Sequence, residues 1–379
     1  MSDTNSAQQT KSVGIIGGGQ LAQMLAQSVK HLNIQCTVLD PNPNCCATNT
    51  RGNCQQITAN YDDQKALIKL AQSSTVVTYE FENVPGQGAT LIEKHGSIHP
   101  SPKALSISQD RLSERAMFAD LNIPTPPYAP VENLDQLRAA LSTIGTPAIL
   151  KSRTLGYDGK GQVLINDPSK APQAWDTLGH VPAILDGFIE FTRELSIIAT
   201  RSTQGHIEYY PLSENIHRGG ILRLSKAPAT NIDDNLANQA KTAAKNILEH
   251  FNYVGTLAVE FFQIQSDQGP LLLANEIAPR VHNTGHWTIE GAKTSQFENH
   301  MRAVLGMELG SPEPIGYSAM INLIGDEPRP GSMDAMPKAH IHLYGKEPRP
   351  GRKIGHITLN APTQNELNAL LERFTRIIG

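Results

Sequence analysis

The chain holds 379 residues, 39% of them apolar, with a formal net charge of −4. That length predicts two or three domains, and the charge gives no general attraction to nucleic acid or to an acidic membrane surface. No apolar run approaches the ~20 residues that a membrane-spanning helix needs.

The start, Met1 to Lys11, is polar, carries Asp3 and lacks an apolar core, so a short disordered lead is expected and not a secretory signal. Residues 12–16 form an apolar strand that runs into Gly17-Gly18-Gly19-Gln20. A helix over 21–32 and a strand over 35–39, ending at Asp40, follow. This order points backbone amides at a phosphate. Gly17-x-Gly19-x-x-Ala22 with Asp40 downstream also meets the permissive dinucleotide pattern, so a nicotinamide-dependent oxidoreductase is one reading. Any phosphate ligand can use such a turn, however, and the match is not specific. The four cysteines all lie between Cys36 and Cys54. They form no CxxC pair and have no histidine at ligand spacing, so zinc is not expected. Cys36 reads as a core residue and Cys45, Cys46 and Cys54 as free loop thiols, in keeping with a reduced, soluble cytoplasmic enzyme.

A helix over 64–72, a strand over 75–79, a helix over 89–95 and a strand to Ile98 complete a small doubly wound sheet of about a hundred residues. Glu80 and Glu82 stand just past a strand's carboxyl end, where open α/β sheets bind ligands, and one of them, Glu80, is expected at the substrate. His99-Pro-Ser-Pro102 marks a boundary, because paired prolines disfavour helix and strand alike. A helix opens at 108–111 and runs to Leu121, and Pro124-Thr-Pro-Pro127 breaks the chain again. The strand 148–151 ends in Lys151, which is either a surface lysine or a charge held over phosphates. Thr154-Leu-Gly156-Tyr157-Asp158-Gly159-Lys160-Gly161-Gln162 can fold its amides over phosphates, with Lys151 as a point charge. It is not a Walker A loop, and a plain hairpin turn has the same composition. A strand over 162–165, a helix over 171–178 and a strand over 183–185 lead to the extended segment Asp186-Gly187-Phe188-Ile189. That segment is a suitable backbone edge for an adenine, with Glu194 placed for ribose hydroxyls.

Two apolar runs, 257–263 and 271–278, flank a polar turn and read as an antiparallel hairpin. Each carries a carboxylate, Glu260 and Glu276. Burying two carboxylates is costly unless a cation neutralises them, and Mg²⁺ takes one or two carboxylates while leaving other positions to water and phosphate. The pattern is that of a Mg·ATP site on Glu260, Glu276 and Asn275, or else of two solvated strand-edge acids. Further on, His286 and Trp287 read as packing residues, 295–305 as a helix and 318–323 as a strand. Gly-x-Glu-Pro-Arg-Pro-Gly occurs at 325–331 and 345–351 and reads as two similar turns. His340 and His342 share one face of a strand over 339–344 without an acidic partner nearby in sequence. Arg349, Arg352 and Lys353 concentrate positive charge suited to a phosphate, and the amphipathic helix 364–376 should cap a small C-terminal β domain.

Six motifs, taken together, carry more: 17–21, 79–84, 156–162, 214–223, 275–283 and 349–356. With them the chain resembles the ATP-grasp superfamily and, within it, the 5-(carboxyamino)imidazole ribonucleotide synthetase family of purine biosynthesis, from about Val13 to Thr358. The resemblance implies an α/β and α+β architecture. A doubly wound, Rossmann-like substrate domain would span 1–100, and an ATP-grasp domain 101–300 with a lid subdomain at about 125–190. A C-terminal β-rich domain over 301–379 would complete the substrate site. It implies that ATP, bicarbonate and 5-aminoimidazole ribonucleotide become ADP, phosphate and the carbamate, in a cytoplasmic homodimer. Arg111, Lys151, residues 156–162, 186–189, Glu194, His217, Asn275 and Glu276 would then meet the nucleotide, and Glu260 and Glu276 would hold Mg²⁺. Gln20, Glu80, Tyr157, Asn283, Arg349 and Arg352 would meet the ribonucleotide. Asp158, His282, Arg280 and Lys346 would serve the chemistry, with Asp158 and His282 as the base. Ala22-Gln23 and Leu155 depart from the family pattern, the first by removing a cation and the second by replacing a glycine. No Ser/His/Asp or Cys/His constellation stands out, which suits phosphoryl transfer by alignment and charge. A formate-dependent or amino-acid ligase of the same fold, and a noncatalytic nucleotide-binding module, are the remaining alternatives.

Overall fold

The structure, a computed structural model, describes residues 11–49, 54–156, 161–267, 269–327, 336 and 338–378. The expected phosphate-loop residues Tyr157, Asp158, Gly159 and Lys160 lie outside the described residues, as do the lead before Lys11 and most of the turn 325–331.

Four parallel strands open the chain: β1 (Ser12–Ile16), β2 (Gln35–Asp40), β3 (Cys54–Thr58) and β4 (Val76–Tyr79), in the order β3-β2-β1-β4. Helices α1 (Gln20–Ser28), α2 (Gln64–Gln72) and α3 (Gly86–His95) cover this sheet. Its inner strands are apolar on both faces, as a covered parallel sheet requires, and Val13, Ile15, Cys36 and Val38 are fully buried. Cys54 opens β3 and is not a loop thiol. Next come α4 (Pro102–Ser108) and α5 (Arg111–Asp120). The expected boundary at the prolines thus contains the start of a helix, because Pro102 occupies the first helical position, where its missing N–H costs nothing and its fixed φ helps.

A small antiparallel sheet follows in the order β5-β8-β6-β7, built from β5 (Tyr128–Val131), β6 (Ala148–Ser152), β7 (Gln162–Ile165) and β8 (Ala183–Gly187), with α6 (Leu134–Ile144) and α7 (Ala171–Leu178) packed on one face. The third sheet is the largest. It contains β9 (Arg193–Arg201), β10 (Ile207–Tyr209), β11 (Ser213–Arg218), β12 (Ile221–Ala227), β13 (Gly255–Ser266) and β14 (Gly269–Ala278). It continues without a break into β15 (Tyr317–Ile324), β16 (Ala339–Leu343) and β17 (Lys353–Ala361), in the order β14-β13-β9-β11-β12-β15-β17-β16 with β10 on β9. The strands of the expected C-terminal β-rich region therefore extend the central sheet. Helices α8 (Asp234–His250), the one-turn α9 (Thr288–Gly291), α10 (Gln296–Val304) and α11 (Gln364–Ile378) cover it. The amphipathic α8 buries Leu236, Ala240, Ala244 and Ile247 on the sheet, and Asp233 caps its start by accepting from Leu236 N at 2.7 Å. Among the described residues no helix is long and apolar enough to cross a membrane.

Candidate active site

A cleft of about 450 Å³ opens where the three sheets converge. Lys151, Arg153 and Gly156 come from the small sheet. Glu260, Asn275, Glu276, Arg280, His282 and Asn283 come from the large sheet and the segment after it, and Gln20 and Glu82 from the N-terminal domain. A second cleft of similar size, between α2 and α3, holds only Asp62 and Lys94 as charged groups. It lacks converging chemistry and is not the site.

The hairpin β13–β14 sets its two acids opposite each other. Glu260 pairs with Glu276 across the strands, and the register shifts immediately afterwards so that Phe261 faces Ala274. Asn275 is the extra residue of a bulge. It opposes no partner, and it lets both carboxylates meet on one face. Like charges held this way repel, and burial adds to the cost: Glu260 is pushed up to about 7 by desolvation and then by Glu276. An array of hard oxygen donors that is strained until a cation arrives fits a divalent ion such as Mg²⁺. His282 Nε2 lies 3.6 Å from Glu260.

Cations gather along the opposite wall. Asp110 caps α5 by accepting from Leu112 N at 2.9 Å and pairs with Arg153 at 2.5 Å, which fixes the start of the helix. Arg111, Glu114 and Arg115 then share its inner face. Arg111 reaches Glu276 at 3.3 Å. Arg115, fully buried, donates to the Asn275 carbonyl at 2.6 Å and pairs with Asp186 at 3.2 Å. Lys151 approaches the same Asp186 oxygen at 2.8 Å. Burial alone would raise the Asp186 carboxyl, but Lys151 and Arg115 outweigh it and hold it below the usual carboxylate range. Glu114 accepts from Ile277 N at 2.8 Å and is pushed up to about 7 by burial, despite Arg115 beside it. Nothing in the sequence analysis marked Glu114 or Arg115. The available signal was charge recurring at 111, 114 and 115, one stripe of a helix that otherwise packs into the core.

Asp186 is thus a buried anchor at the start of the segment expected to meet the adenine, 186–189. β8 is an interior strand, and the Gly187 and Phe188 amides donate to Pro127 O at 2.8 Å and Pro147 O at 3.2 Å, so along this edge the amides of 187 and 188 are already engaged while Phe188 itself is exposed. Phe191 stacks on Phe262, ring centroids 4.9 Å apart, and both line the cleft. Glu194 and His217 meet at 2.8 Å. Burial pulls that imidazole down, but the Glu194 hydrogen bond and the nearby Glu260 and Glu276 charges win and raise it.

At the far end Lys346 donates to the Gln20 amide oxygen, and Arg280 forms an ion pair with Glu82. Burial holds Lys346 below the usual lysine range, against Cys46 and Glu80. Both polar atoms of the Asn283 amide are buried without a hydrogen-bond partner among the described residues, the state of a group that awaits a ligand. Burial, with Arg280 next, drives His282 well below the ordinary imidazole range and keeps it neutral. Glu80, expected at the substrate, turns its carboxylate onto the glycine turn, accepting from Gly19 N at 2.5 Å and Ala22 N at 2.9 Å. Of the two arginines expected at the ribonucleotide, Arg349 is exposed and Arg352 donates to the Glu347 carbonyl at 3.2 Å, and Lys353 lines the cleft.

The glycine turn that supported a dinucleotide reading is itself filled by acids, since Gly18 N donates to Asp40 at 2.8 Å and Glu80 takes the next two amides. What is left for a nucleotide is the cleft between the small and large sheets, with its acid pair and its cations. That arrangement is the site of an ATP-grasp ligase. Family models agree along the chain: a ribonucleotide synthetase preATP-grasp domain matches residues 10–109, an ATP-grasp domain 116–297, and a phosphoribosylaminoimidazole carboxylase C-terminal domain 318–370. The N5-carboxyaminoimidazole ribonucleotide synthase of Pseudomonas aeruginosa is 45% identical over 366 residues, 97% of this chain and 99% of the relative. A crystal structure of N5-carboxyaminoimidazole ribonucleotide synthetase from Thermus thermophilus superposes with a TM-score of 0.91 at 46% identity, covering 97% of this chain and 98% of that one. The synthase of Aspergillus clavatus, solved with ADP and 5-aminoimidazole ribonucleotide, gives 0.89 at 30% identity, over 97% and 98%. The chain belongs to the N5-carboxyaminoimidazole ribonucleotide synthase family, and it is an ATP-dependent ligase of purine biosynthesis with that activity.

Proposed function

We propose that this chain transfers the γ-phosphoryl group of ATP to bicarbonate and passes the carboxyl group on to the amine of 5-aminoimidazole ribonucleotide. ADP, phosphate and 5-(carboxyamino)imidazole ribonucleotide are the products. The observation that carries the reading is the opposed pair Glu260 and Glu276, set by the Asn275 bulge and facing a wall of cations. These two acids would hold Mg²⁺, with Asn275 beside them. When bound, the ion supplies charge neutralisation on the phosphates. Bicarbonate is a poor electrophile, and attack of its oxygen on the γ-phosphorus activates its carbon as carboxyphosphate, a source of CO₂. Lys151, Arg111 and Arg280 hold the charge that spreads over the transferring group. Glu194 with His217 receives the ribose, residues 186–189 the adenine edge, and Phe191 and Phe262 present an apolar face in the same cleft. Gln20, Lys346 and Asn283 hold the ribonucleotide. The amine loses a proton as its N–C bond forms, and the neutral imidazole of His282 is able to receive it. Asp158, which lies outside the described residues, is the carboxylate that the family resemblance pairs with His282 as the base. A cytoplasmic homodimer is the setting the family resemblance implies, and light scattering should give the mass of two chains.

The decisive assay is ADP release with bicarbonate, with and without 5-aminoimidazole ribonucleotide, beside an NADPH titration. Release should depend on both substrates, and NADPH should not bind. Glu276→Gln should lower turnover by about 10²–10³-fold with the protein still folded, the usual cost of losing one charge-stabilising group. Release that ignores the ribonucleotide, or a folded Glu276→Gln enzyme with normal turnover, overturns the reading.

A further inference from the structure

Behind the cleft wall lies a cluster of titratable groups that the chemistry above leaves unused. His286, Tyr344 and His356 are at most 2% exposed, yet His286 and Tyr344 line the cleft. Tyr344 Oη sits 2.7 Å from His356 Nδ1 and 3.4 Å from His286 Nδ1. His342 stacks on His356 with ring centroids 4.4 Å apart, and its Nε2 lies 2.6 Å from Glu290. The acidic partner absent from the sequence near His342 is therefore supplied in space. Among the described residues, Nε2 of His286, Nε2 of His356 and Oε2 of Glu290 have no hydrogen-bond partner, and none of these groups forms a metal-ligand cluster.

A phenol carries one proton. Placed between two Nδ1 atoms, it donates to one and accepts from the other. In one arrangement His286 Nε2 is a bare acceptor and His356 Nε2 carries hydrogen; in the other the two are reversed. One proton entering at His286 and one leaving at His356 converts the first into the second without moving a heavy atom. We propose that His286, Tyr344 and His356 form a proton relay that carries the proton lost by the substrate amine out of the cleft toward His342 and Glu290.

The relay rests on the carboxylation reading above. As the N–C bond forms, an amine N–H bond breaks and its proton goes, directly or by way of His282, to His286 Nε2. The His286 Nδ1 proton passes to the Tyr344 oxygen, the Tyr344 proton to His356 Nδ1, and the His356 Nε2 proton to Glu290 Oε2, the carboxylate oxygen without a partner among the described residues. When the cleft reopens a proton returns along the same path, leaves His286 Nε2 to solvent and restores the first arrangement. Nothing is oxidised or reduced. Burial holds His286 and His356 well below the ordinary imidazole range. Both rest neutral and carry charge only in passing. Positive charge at the cleft end, from Lys346 over the Tyr344 ring at 5.7 Å and from Lys353 and Arg280 acting on His286, favours departure. The 3.4 Å separation is long for transfer, and such contacts tighten when substrate closes the site.

Tyr344→Phe keeps the ring and removes the bridging oxygen. His356→Gln keeps a hydrogen-bonding group but cannot pass a proton on. In each folded variant kcat for the carboxylated product should fall about 10–100-fold with KM for 5-aminoimidazole ribonucleotide within threefold, and the solvent deuterium effect on kcat should grow. A purely structural role predicts instead that kcat, KM and melting temperature move together, and that result overturns the relay. So does kcat within twofold of wild type in either folded variant; if one variant fails to fold, the other decides. Wild-type ADP release that ignores the ribonucleotide would remove the carboxylation reading itself, whereas normal wild-type behaviour with unaffected variants removes only the relay.

Discussion

Two glycine- and acid-rich regions of this chain look alike in sequence and behave oppositely in the fold. In the N-terminal domain the amides of residues 18, 19 and 22 are answered by the protein's own Asp40 and Glu80. In the cleft, Glu260 and Glu276 repel each other and the Asn283 amide has no hydrogen-bond partner among the described residues. A finished set of hydrogen bonds marks a scaffold and an unfinished one marks a site. The comparison also separates two ways of burying a carboxylate. Two amides and the charge of Lys346 fail to offset the burial of Glu80, whose carboxyl is raised, while two cations in direct hydrogen-bonded contact overcome the burial of Asp186 and lower it.

The largest stability effect should therefore come from Asp186→Asn. It leaves Arg115 and Lys151 as buried cations without their counter-ion, at a cost of about 3–5 kcal/mol. Because the folded-state carboxyl lies below its unfolded value of about 3.9, its contribution is present above that pH and disappears as pH falls through the folded value. The gap between wild type and variant, measured by chemical denaturation, should narrow below about pH 4. A constant gap from pH 7 to pH 3 would break the distinction drawn between the two buried acids.

Glu80→Gln tests the other half. One amide of the turn meets an NH₂ group and loses its acceptor, which costs about 1–2 kcal/mol. The neutral side chain also recovers part of the burial penalty, so the net loss is smaller than at Asp186. Here the sign reverses. The native state holds its proton more tightly than the unfolded chain, so wild-type stability from this group falls as pH rises through the unfolded value of about 4.3 toward the folded one. The variant's deficit should be larger at pH 4 than at pH 7. A deficit at pH 7 as large as that of Asp186→Asn would show that amides hold an anion as well as cations do.

Much of this was legible in the chain. The hairpin with Glu260 and Glu276 was readable because apolar runs around a polar turn give a strand period, and buried acids demand a partner. The bulge at Asn275 was not, since a register shift depends on the facing strand. Glu114 and Arg115 escaped because a charged stripe on a short helix looks solvated until the helix is docked. His342 and Glu290 escaped because 52 positions separate them. The hold of Glu80 on the glycine turn escaped as well: a position past a strand end is where ligands bind, and only the fold brings the turn to its carboxylate.

The smallest effect concerns the glycines themselves. Gly17 has φ +95°, and a Cβ there would meet Glu80 Cγ at 2.5 Å and the Phe81 ring at 2.8 Å, so both backbone and space require glycine. Leu155, in the glycine-rich loop of the cleft, has φ +63° and is 71% exposed. It bears the left-handed cost of about 1–2 kcal/mol without a steric reason for glycine. Leu155→Gly relieves that cost, and little burial is lost from so exposed a side chain. The freer unfolded chain returns about 0.4–1 kcal/mol against it. The two nearly cancel, and the strain term is the larger, so a net gain of about 0.5–1 kcal/mol is expected in chemical denaturation. A loss of more than about 1 kcal/mol, beyond what unfolded-state entropy can supply, would mean that Leu155 earns its conformation through packing and that the cleft loop, like the N-terminal turn, is already a finished structure.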